Sequence, residues 1–382
     1  MVLGITPIFN KNQAMSIESN QSQRFHILDA SRGIAAIGVL LFHVFFATPI
    51  RYLMGLYTLV DFFFVLSGFV LYPGMPRHYR KFTHDGTQFI LSRIVRLWPT
   101  LVASLILSMG IYWWKEYAAS KSNNYFEIDP NRSPMHLGGA FLLLQILVPL
   151  SGAIFIAIPF WSLSAEWLAN IIFAPLTIIY KQCGIVLGII GGYAVLHYGL
   201  VHDTDWITNL GPIRGWEALG RALIGFGIGL LVRANLEKLS TIRNNFFFAI
   251  TIALTIWASI IWNSYTFTHL YYTSPLFGLV ILQLSRFNIS STSKRAKVCT
   301  FLGTYSYGIY AFHFLAIEFY DYNVVKLDAF ASHSEWWRYL ITKSIVVIAV
   351  ATFATFLTLK LVDQPLQKRG RALIERKFAP SN

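Results

Sequence analysis

Along the chain, long apolar runs alternate with short polar, basic or acidic breaks. A membrane-spanning helix needs about 20 predominantly apolar residues. Runs of that kind start near Ile34, Gly55, Leu97, Leu137, Trp161, Gly184, Gly215, Phe246, Leu270, Cys299 and Tyr339. Residues 1–24 are polar, with Asn10, Lys11, Asn12, Gln13 and then Ser16 to Gln23. They lack a basic start leading into an apolar core with a small-residue cleavage site, so they read as a flexible tail rather than a cleaved signal peptide. Eleven spans would leave the two ends of the chain on opposite sides.

The basic residues decide the parity, because cytoplasmic loops collect Lys and Arg. The stretch from Pro73 to Arg96 carries Arg77, Arg80, Lys81, Arg93 and Arg96, and the N-terminal region carries Lys11, Arg24 and Arg32. The C-terminal region carries Lys368, Arg369, Arg371, Arg376 and Lys377. Arg233, Lys238 and Arg243 mark a further inner loop, as do Arg286, Lys294, Arg295 and Lys297. Acid-rich stretches, Glu116 to Asp129, Asp203 to Asp205 and Asp321 to Glu335, fall outside. This pattern closes only if one run does not span. The run from Leu137 to Ile158 is interrupted by Pro149, Ser151 and Gly152 and bounded by Pro159, so it is expected to be interfacial or re-entrant. The expected fold class is all-α: a polytopic membrane helix bundle of about ten spans with both termini cytoplasmic. Residues 25–371 form one membrane domain, flanked by cytoplasmic tails at 1–24 and 372–382. The expected location is the plasma membrane, the inner membrane of a bacterium. Trp113, Trp114, Trp161, Trp216, Trp262, Trp336 and Trp337 fall at outer ends, where aromatic belts form.

Composition sharpens this picture. The 382 residues are 55% hydrophobic and 13% charged, against about 25% charge in a soluble domain. A cytosolic enzyme, a disordered chain and a disulfide scaffold are excluded. The net charge of +13 would suggest nucleic acid in a soluble protein. Here it is chiefly the orientation signal, and no nucleic-acid partner is expected.

Ionisable residues inside apolar spans are expensive and mark functional sites. Arg32 and His43 are eleven residues apart, which puts them on one helix face with an axial separation of ~16 Å. His43, Asp61, Glu166, Arg221 and His313 each lie within ~8–10 Å of the outer end of their own run. Five helices thus carry ionisable groups at one depth, and convergence on a single polar chamber is expected. Separate ion pairs, such as Asp61 with Arg221, are the alternative. Arg93 and Arg96, at i and i+3, share a face near the inner surface, and guanidinium pairs suit phosphate. No Gly-x-Ser-x-Gly elbow, phosphate-binding glycine loop or Cys/His pairing with zinc-ligand spacing occurs, so no metal is expected. His197, His202 and Asp203 read as solvated on an outer loop.

Five stretches resemble the motifs of the acyltransferase 3 family of integral membrane acyltransferases. They are Leu28-Asp29-Ala-Ser-Arg32-Gly33 through Phe42-His43, Val60-Asp61 through Ser67-Gly68-Phe69, Arg93-Ile-Val-Arg96, Pro159-Phe160-Trp161-Ser162-Leu163-Ser164-Ala165-Glu166-Trp167, and Gly303-Thr-Tyr-Ser306-Tyr307 through Tyr310 to His313. Asp363-Gln364-Pro365 stands where the family often has Glu before the late Pro. The extra esterase-like domain of some members is not found, so an acyl relay onto it is not expected. The resemblance implies ten spans and transfer of an acyl group, often acetyl, from cytoplasmic acyl-CoA to a hydroxyl of a carbohydrate, a glycolipid or lipid-linked acceptor, or another small molecule. Surface polysaccharide modification is the expected setting.

On this reading Arg32, Arg93 and Arg96 hold the CoA phosphates. His43 is general base or transient acyl carrier. Asp61 or Glu166 orients its ring, and Arg221 or Tyr310 stabilises the oxyanion. His313 is counted with this catalytic set. A proton-coupled secondary transporter of a small solute is the alternative from another class, since buried His, Asp, Glu and Arg also suit an ion-coupled site.

Overall fold

A computed structural model describes residues 25–46, 48, 51–75, 82–121, 134–147, 159–202, 215–241, 245–262, 267–323 and 333–378. The polar tail, parts of the acid-rich loops (122–129, 203–205 and 324–332), residues 148–158 of the interrupted run and the side chain of Trp262 lie outside the described residues. Among the described residues all regular structure is helical. The helices are α1 (His26–Phe45), α2 (Leu59–Leu71, entered through a 3₁₀ segment, Arg51–Thr58), α3 (Phe82–Lys121), α4 (Pro134–Phe141), α5 (Phe160–His202), α6 (Gly215–Ala234), α7 (Phe246–Trp262), α8 (Leu270–Leu284), α9 (Lys294–Asn323), α10 (His333–Thr358) and α11 (Gln364–Lys377). A π-helical turn, Leu359–Asp363, joins α10 to α11.

Among the described residues, six helical stretches are long and apolar enough to cross a membrane. One of them, α5, breaks at Lys181, where φ is 53° and ψ is −128°. Its arms, 160–180 and 182–202, each extend ~31 Å at the helical rise, matching the two separate runs expected from Trp161 and Gly184. The arms fold back tightly enough that a side chain at Gly184 would collide with the Leu176 carbonyl. The run from Leu137 makes no spanning helix within the described residues. The helix there, α4, has eight residues, or ~12 Å. Leu143 follows in the left-handed region, at φ 55°, and the Ile146 N–H then bonds to Ser164 Oγ at 3.3 Å.

Contacts fix the relative direction of the helices. The pairs α1 with α9, α2 with α6, and α3 with α9 run parallel: Arg32 and His43 meet Gly303 and His313, Asp61 and Gly68 meet Arg221 and Phe226, and Leu97 and Ser104 meet Tyr307 and Ala311. The second arm of α5 is antiparallel to α6, with Gly192 against Leu223 and Gly199 against Glu217. Likewise α10 is antiparallel to α9, with Thr355 against Gly308 and Lys343 against Asp321. Small residues at these crossings let the backbones approach closely, which is how helices associate without a hydrophobic drive between them.

The outer surface is apolar. Along α10, Ile341, Ile345, Phe353 and Leu357 are all exposed at roughly helical spacing. In water such a stripe would be an aggregation surface, whereas in lipid it is the solvated face. The chain is a multi-pass membrane protein.

Two sequence expectations change here. Trp161 is 4% exposed and packs in the core rather than in a belt, while Trp113, Trp114, Trp216 and Trp337 are exposed. His197 and His202 lie in the last turns of α5 rather than on a loop, and His197 Nδ1 is 2.9 Å from the Tyr271 hydroxyl.

Candidate active site

The site starts from the parallel pair α1 and α9. A Cβ on Gly303 would come within 2.6 Å of the Asp29 side chain, and one on Gly33 within 2.8 Å of the Leu302 carbonyl. Only glycine permits this separation, and it brings the polar residues of the two helices into register. At one end an Arg32 amino group donates to the Gly303 carbonyl at 2.5 Å and lies 3.5 Å from Asp29.

About three turns along, His43 and His313 face each other, with Nδ1 of His43 3.1 Å from Nε2 of His313. His313 Nδ1 also sits 2.7 Å from the Tyr310 carbonyl, and His43 Nδ1 3.0 Å from the Val39 carbonyl. A carbonyl only accepts, so His313 Nδ1 carries a hydrogen, and Nε2 of the neutral ring is an acceptor. His43 Nδ1 then faces two acceptors and carries its own hydrogen. With both rings neutral, the lone pair of His43 lies on Nε2. His313 is fully buried and His43 half-buried.

Below this pair, a cavity of about 430 Å³ opens between α1, α2, α3, α5, α9, the π turn and α11, a size usual for a small-ligand site. Arg32, Arg93, Arg96 and Glu166 line it, together with Tyr310 and Ser67. Ser67 donates to Glu166 Oε1 at 2.5 Å, and Glu166 lies within electrostatic reach of Arg93, Arg96 and Arg32. The Nε of Arg93 is buried without a hydrogen-bond partner among the described residues. The two histidines are not among the lining residues. Tyr310 touches both compartments. Its ring is 5.6 Å from that of His313 and 5.6 Å from that of Phe63, and its hydroxyl is 2.6 Å from Ser162 Oγ.

The five groups of common depth do not meet in one chamber. Asp61 and Arg221 form a bidentate pair, Nε to Oδ1 at 3.0 Å and an amino group to Oδ2 at 2.9 Å, with side chains 2% and 1% exposed. The guanidinium is covered by the rings of Trp161 at 5.0 Å and Tyr57 at 5.7 Å, and the Tyr57 hydroxyl bonds to buried His269. Neither Asp61 nor Arg221 lines the cavity. Opposite charges inside a bundle satisfy each other when their helices touch, and α2 touches α6. Of the carboxylates expected at this depth, Glu166 is the one that lines the cavity, and it turns toward the arginines rather than toward His43.

Several lining residues were not singled out in sequence: Ser306, Tyr307, Asp363, Gln367 and Arg371. Ser306 and Tyr307 stand within the family-like motifs, and Asp363 stands where the family often has Glu before the late Pro. Asp363, Gln367 and Arg371 recur at i, i+4 and i+8, a one-face spacing that would have flagged them. In sequence, Arg371 reads only as an orientation charge.

The family model described as an Acyltransferase domain, that of acyltransferase 3, matches residues 25–359. A stretch of 164 residues is 34% identical to "Protein 2 in picA locus" of Rhizobium radiobacter, covering 40% of this chain and 82% of that protein. No solved structure matches the chain. The match to the family model takes in both histidines, the Asp61–Arg221 pair, Glu166 and the inner arginines, and it supports the acyltransferase reading over the transporter alternative: the chain belongs to the acyltransferase 3 family and is a membrane acyltransferase.

Proposed function

We propose that the protein transfers an acyl group, acetyl by preference, from cytoplasmic acyl-CoA to a hydroxyl of a carbohydrate, glycolipid or other small acceptor, in the setting of surface polysaccharide modification at the plasma membrane. The observation that carries this reading is the arrangement of the arginine-lined cavity against the His43–His313 pair, with Tyr310 between them. Arg32, Arg93 and Arg96 take the donor's phosphates by charge-assisted hydrogen bonds. The ~16 Å of axial rise from Arg32 to His43 suits a pantetheine arm reaching from phosphate to thioester.

His43 acts as general base through Nε2. It takes the proton of the acceptor hydroxyl as that oxygen attacks the thioester carbonyl. The carbon–sulfur bond breaks, the ester forms, and His43 returns the proton to the departing thiolate. His313 is a positioning residue that holds the His43 tautomer. Of the two expected oxyanion donors, the Arg221 guanidinium is taken up by Asp61, which leaves the Tyr310 hydroxyl, turning to the oxyanion from its contacts with Ser162 and the Pro159 carbonyl. Glu166 balances the arginine cluster. Asp61 and Arg221 pin α2 to α6 rather than meeting the reactants.

The topology belongs to the same proposal: ten spans within a membrane domain of residues 25–371, with both termini on the cytoplasmic side. Parallel packing of α1 with α9 needs an odd number of spans between them, which supports the seven runs α2, α3, the two arms of α5, α6, α7 and α8 with the α4 region not crossing. The arginine-rich cavity mouth lies at the end of the bundle where the basic residues collect, as the positive-inside rule expects.

Purified protein in nanodiscs, given radiolabelled acetyl-CoA and candidate acceptors, tests the reading. We expect label transfer, and a loss of about 10²–10⁴-fold in His43→Ala with an unchanged unfolding midpoint. Full transfer by well-folded His43→Ala would overturn the role of His43.

A further inference from the structure

The match to the family ends at residue 359, yet the wall of the cavity does not. Leu359, Asp363, Gln364, Gln367 and Arg371 continue it along the π turn and α11. This segment is built for a defined position. The π turn inserts a wider helical turn that buries Asp363, which is 5% exposed, and single π turns commonly occur at functional sites. Past it, Gly370 packs against Val95, where a Cβ would lie within 2.6 Å of the valine side chain. That contact seats α11 against α3 beside the two arginines, where Gln367 Nε2 also reaches the Arg96 carbonyl at 3.4 Å. The rest of α11 is amphipathic, with Leu366 and Leu373 exposed beside Lys368, Arg369, Arg376 and Lys377, as in a helix lying at a membrane surface.

Along the inward face the polar side chains form a chain of fixed sense. Gln367 Nε2 donates to Asp363 Oδ2 at 3.0 Å, and an Arg371 amino group donates to Gln367 Oε1 at 3.0 Å. The carboxylate accepts and the guanidinium donates, so the orientation of the amide between them is dictated by chemistry. Arg371 is thereby oriented without a carboxylate partner among the described residues. It lies within electrostatic reach of Arg93, which also feels Arg96. With Arg32, four guanidiniums then line one cavity against the carboxylates of Glu166 and Asp363. Like charges held this close, one with a buried unpartnered Nε, favour an anion with several acceptor oxygens.

We infer that Arg371, presented by the Asp363–Gln367 chain on α11, is a fourth guanidinium for the donor's phosphates, and that α11 is a wall of the donor site rather than a membrane anchor alone. This rests on the acyl-CoA reading above. The shared chemistry is a phosphate ester, which a lipid headgroup also offers, so the test separates the two.

CoA affinity is measured by calorimetry on the full chain in nanodiscs of phosphatidylcholine alone, for wild type, Arg371→Ala, Arg371→Lys, Gln367→Ala and the control Arg93→Ala/Arg96→Ala. Arg371→Ala is expected to weaken CoA about tenfold with an unchanged unfolding midpoint in the absence of CoA. Arg371→Lys restores part of the loss, since it keeps the charge without the fork. Gln367→Ala falls between wild type and Arg371→Ala. Wild-type affinity in Arg371→Ala alongside weakened binding in the control would overturn the inference and leave the donor reading standing. Anionic lipid retained by wild type and lost by Arg371→Ala, with CoA affinity unmoved, would overturn it in favour of a headgroup. A wild type that binds no CoA overturns both.

Discussion

Two charge clusters lie inside this bundle and are made of the same residue types. In one, Asp61 and Arg221 close on each other through two hydrogen bonds, under the rings of Trp161 and Tyr57. In the other, Arg32, Arg93, Arg96 and Arg371 share a cavity with Glu166 and Asp363. The first is neutral, sealed and at most 2% exposed. The second carries excess positive charge and is open. Burial alone therefore does not separate structural from ligand-binding ions in a membrane protein. The local sum of charge and the presence of space do. A pair that balances itself fastens two helices, whereas a cluster that does not balance is completed by a ligand.

That contrast can be broken most sharply at the sealed pair. Asp61→Ala leaves an uncompensated guanidinium in the interior, and we expect it to destabilise the protein by ~3–5 kcal/mol, read as a fall in the unfolding midpoint in nanodiscs. The fraction that remains folded keeps its CoA affinity. A stable Asp61→Ala protein that has lost acyl transfer would move this pair into the catalytic machinery. Next in size is the open cluster. Arg93→Ala/Arg96→Ala removes charge-assisted hydrogen bonds to the phosphates, and should lower CoA affinity by about 10–100-fold with the unfolding midpoint held or raised, because the arginines repel one another. A midpoint drop like that of Asp61→Ala would make these arginines structural too. The smallest effect is expected at Ser67, the hydrogen-bond donor to Glu166. Ser67→Ala costs about 1 kcal/mol of local interaction and should slow transfer by a few fold. A loss comparable to that of His43→Ala would show that Glu166 does more than balance charge.

Much of the fold was legible in the sequence because lipid imposes a one-dimensional rule. Apolar length gives the helices, and the break of α5 at Lys181 falls between the runs read from Trp161 and Gly184. The common depth of His43 and His313 was also legible, and the two rings do meet. Asp61 and Arg221, also read at that depth, meet each other as the alternative of separate ion pairs had it, and depth was a poor guide for Glu166, which turns to the arginines. Counting residues along a helix gives height in the membrane, but the neighbour a side chain meets depends on the rotation of the helix and on which helix lies beside it. Trp161 shows the same limit. Its height suits a belt, but its direction puts it against Arg221.

The sequence by itself determined the solvent of this protein, the positions of most helices, the family and the residue types of its chemistry. These follow from apolar length, charge placement and short motifs, which are local properties of the chain. The tertiary structure decided the partners. It joined Asp61 to Arg221, turned Glu166 toward the arginines, fixed the His43 tautomer through His313, and brought Arg371 to the cavity from beyond the family match. A charge taken out of water is compensated only by partners in hydrogen-bond contact, so its role is set by which helix packs next to it, and glycine contacts such as Gly33 with Leu302 and Gly370 with Val95 set that packing.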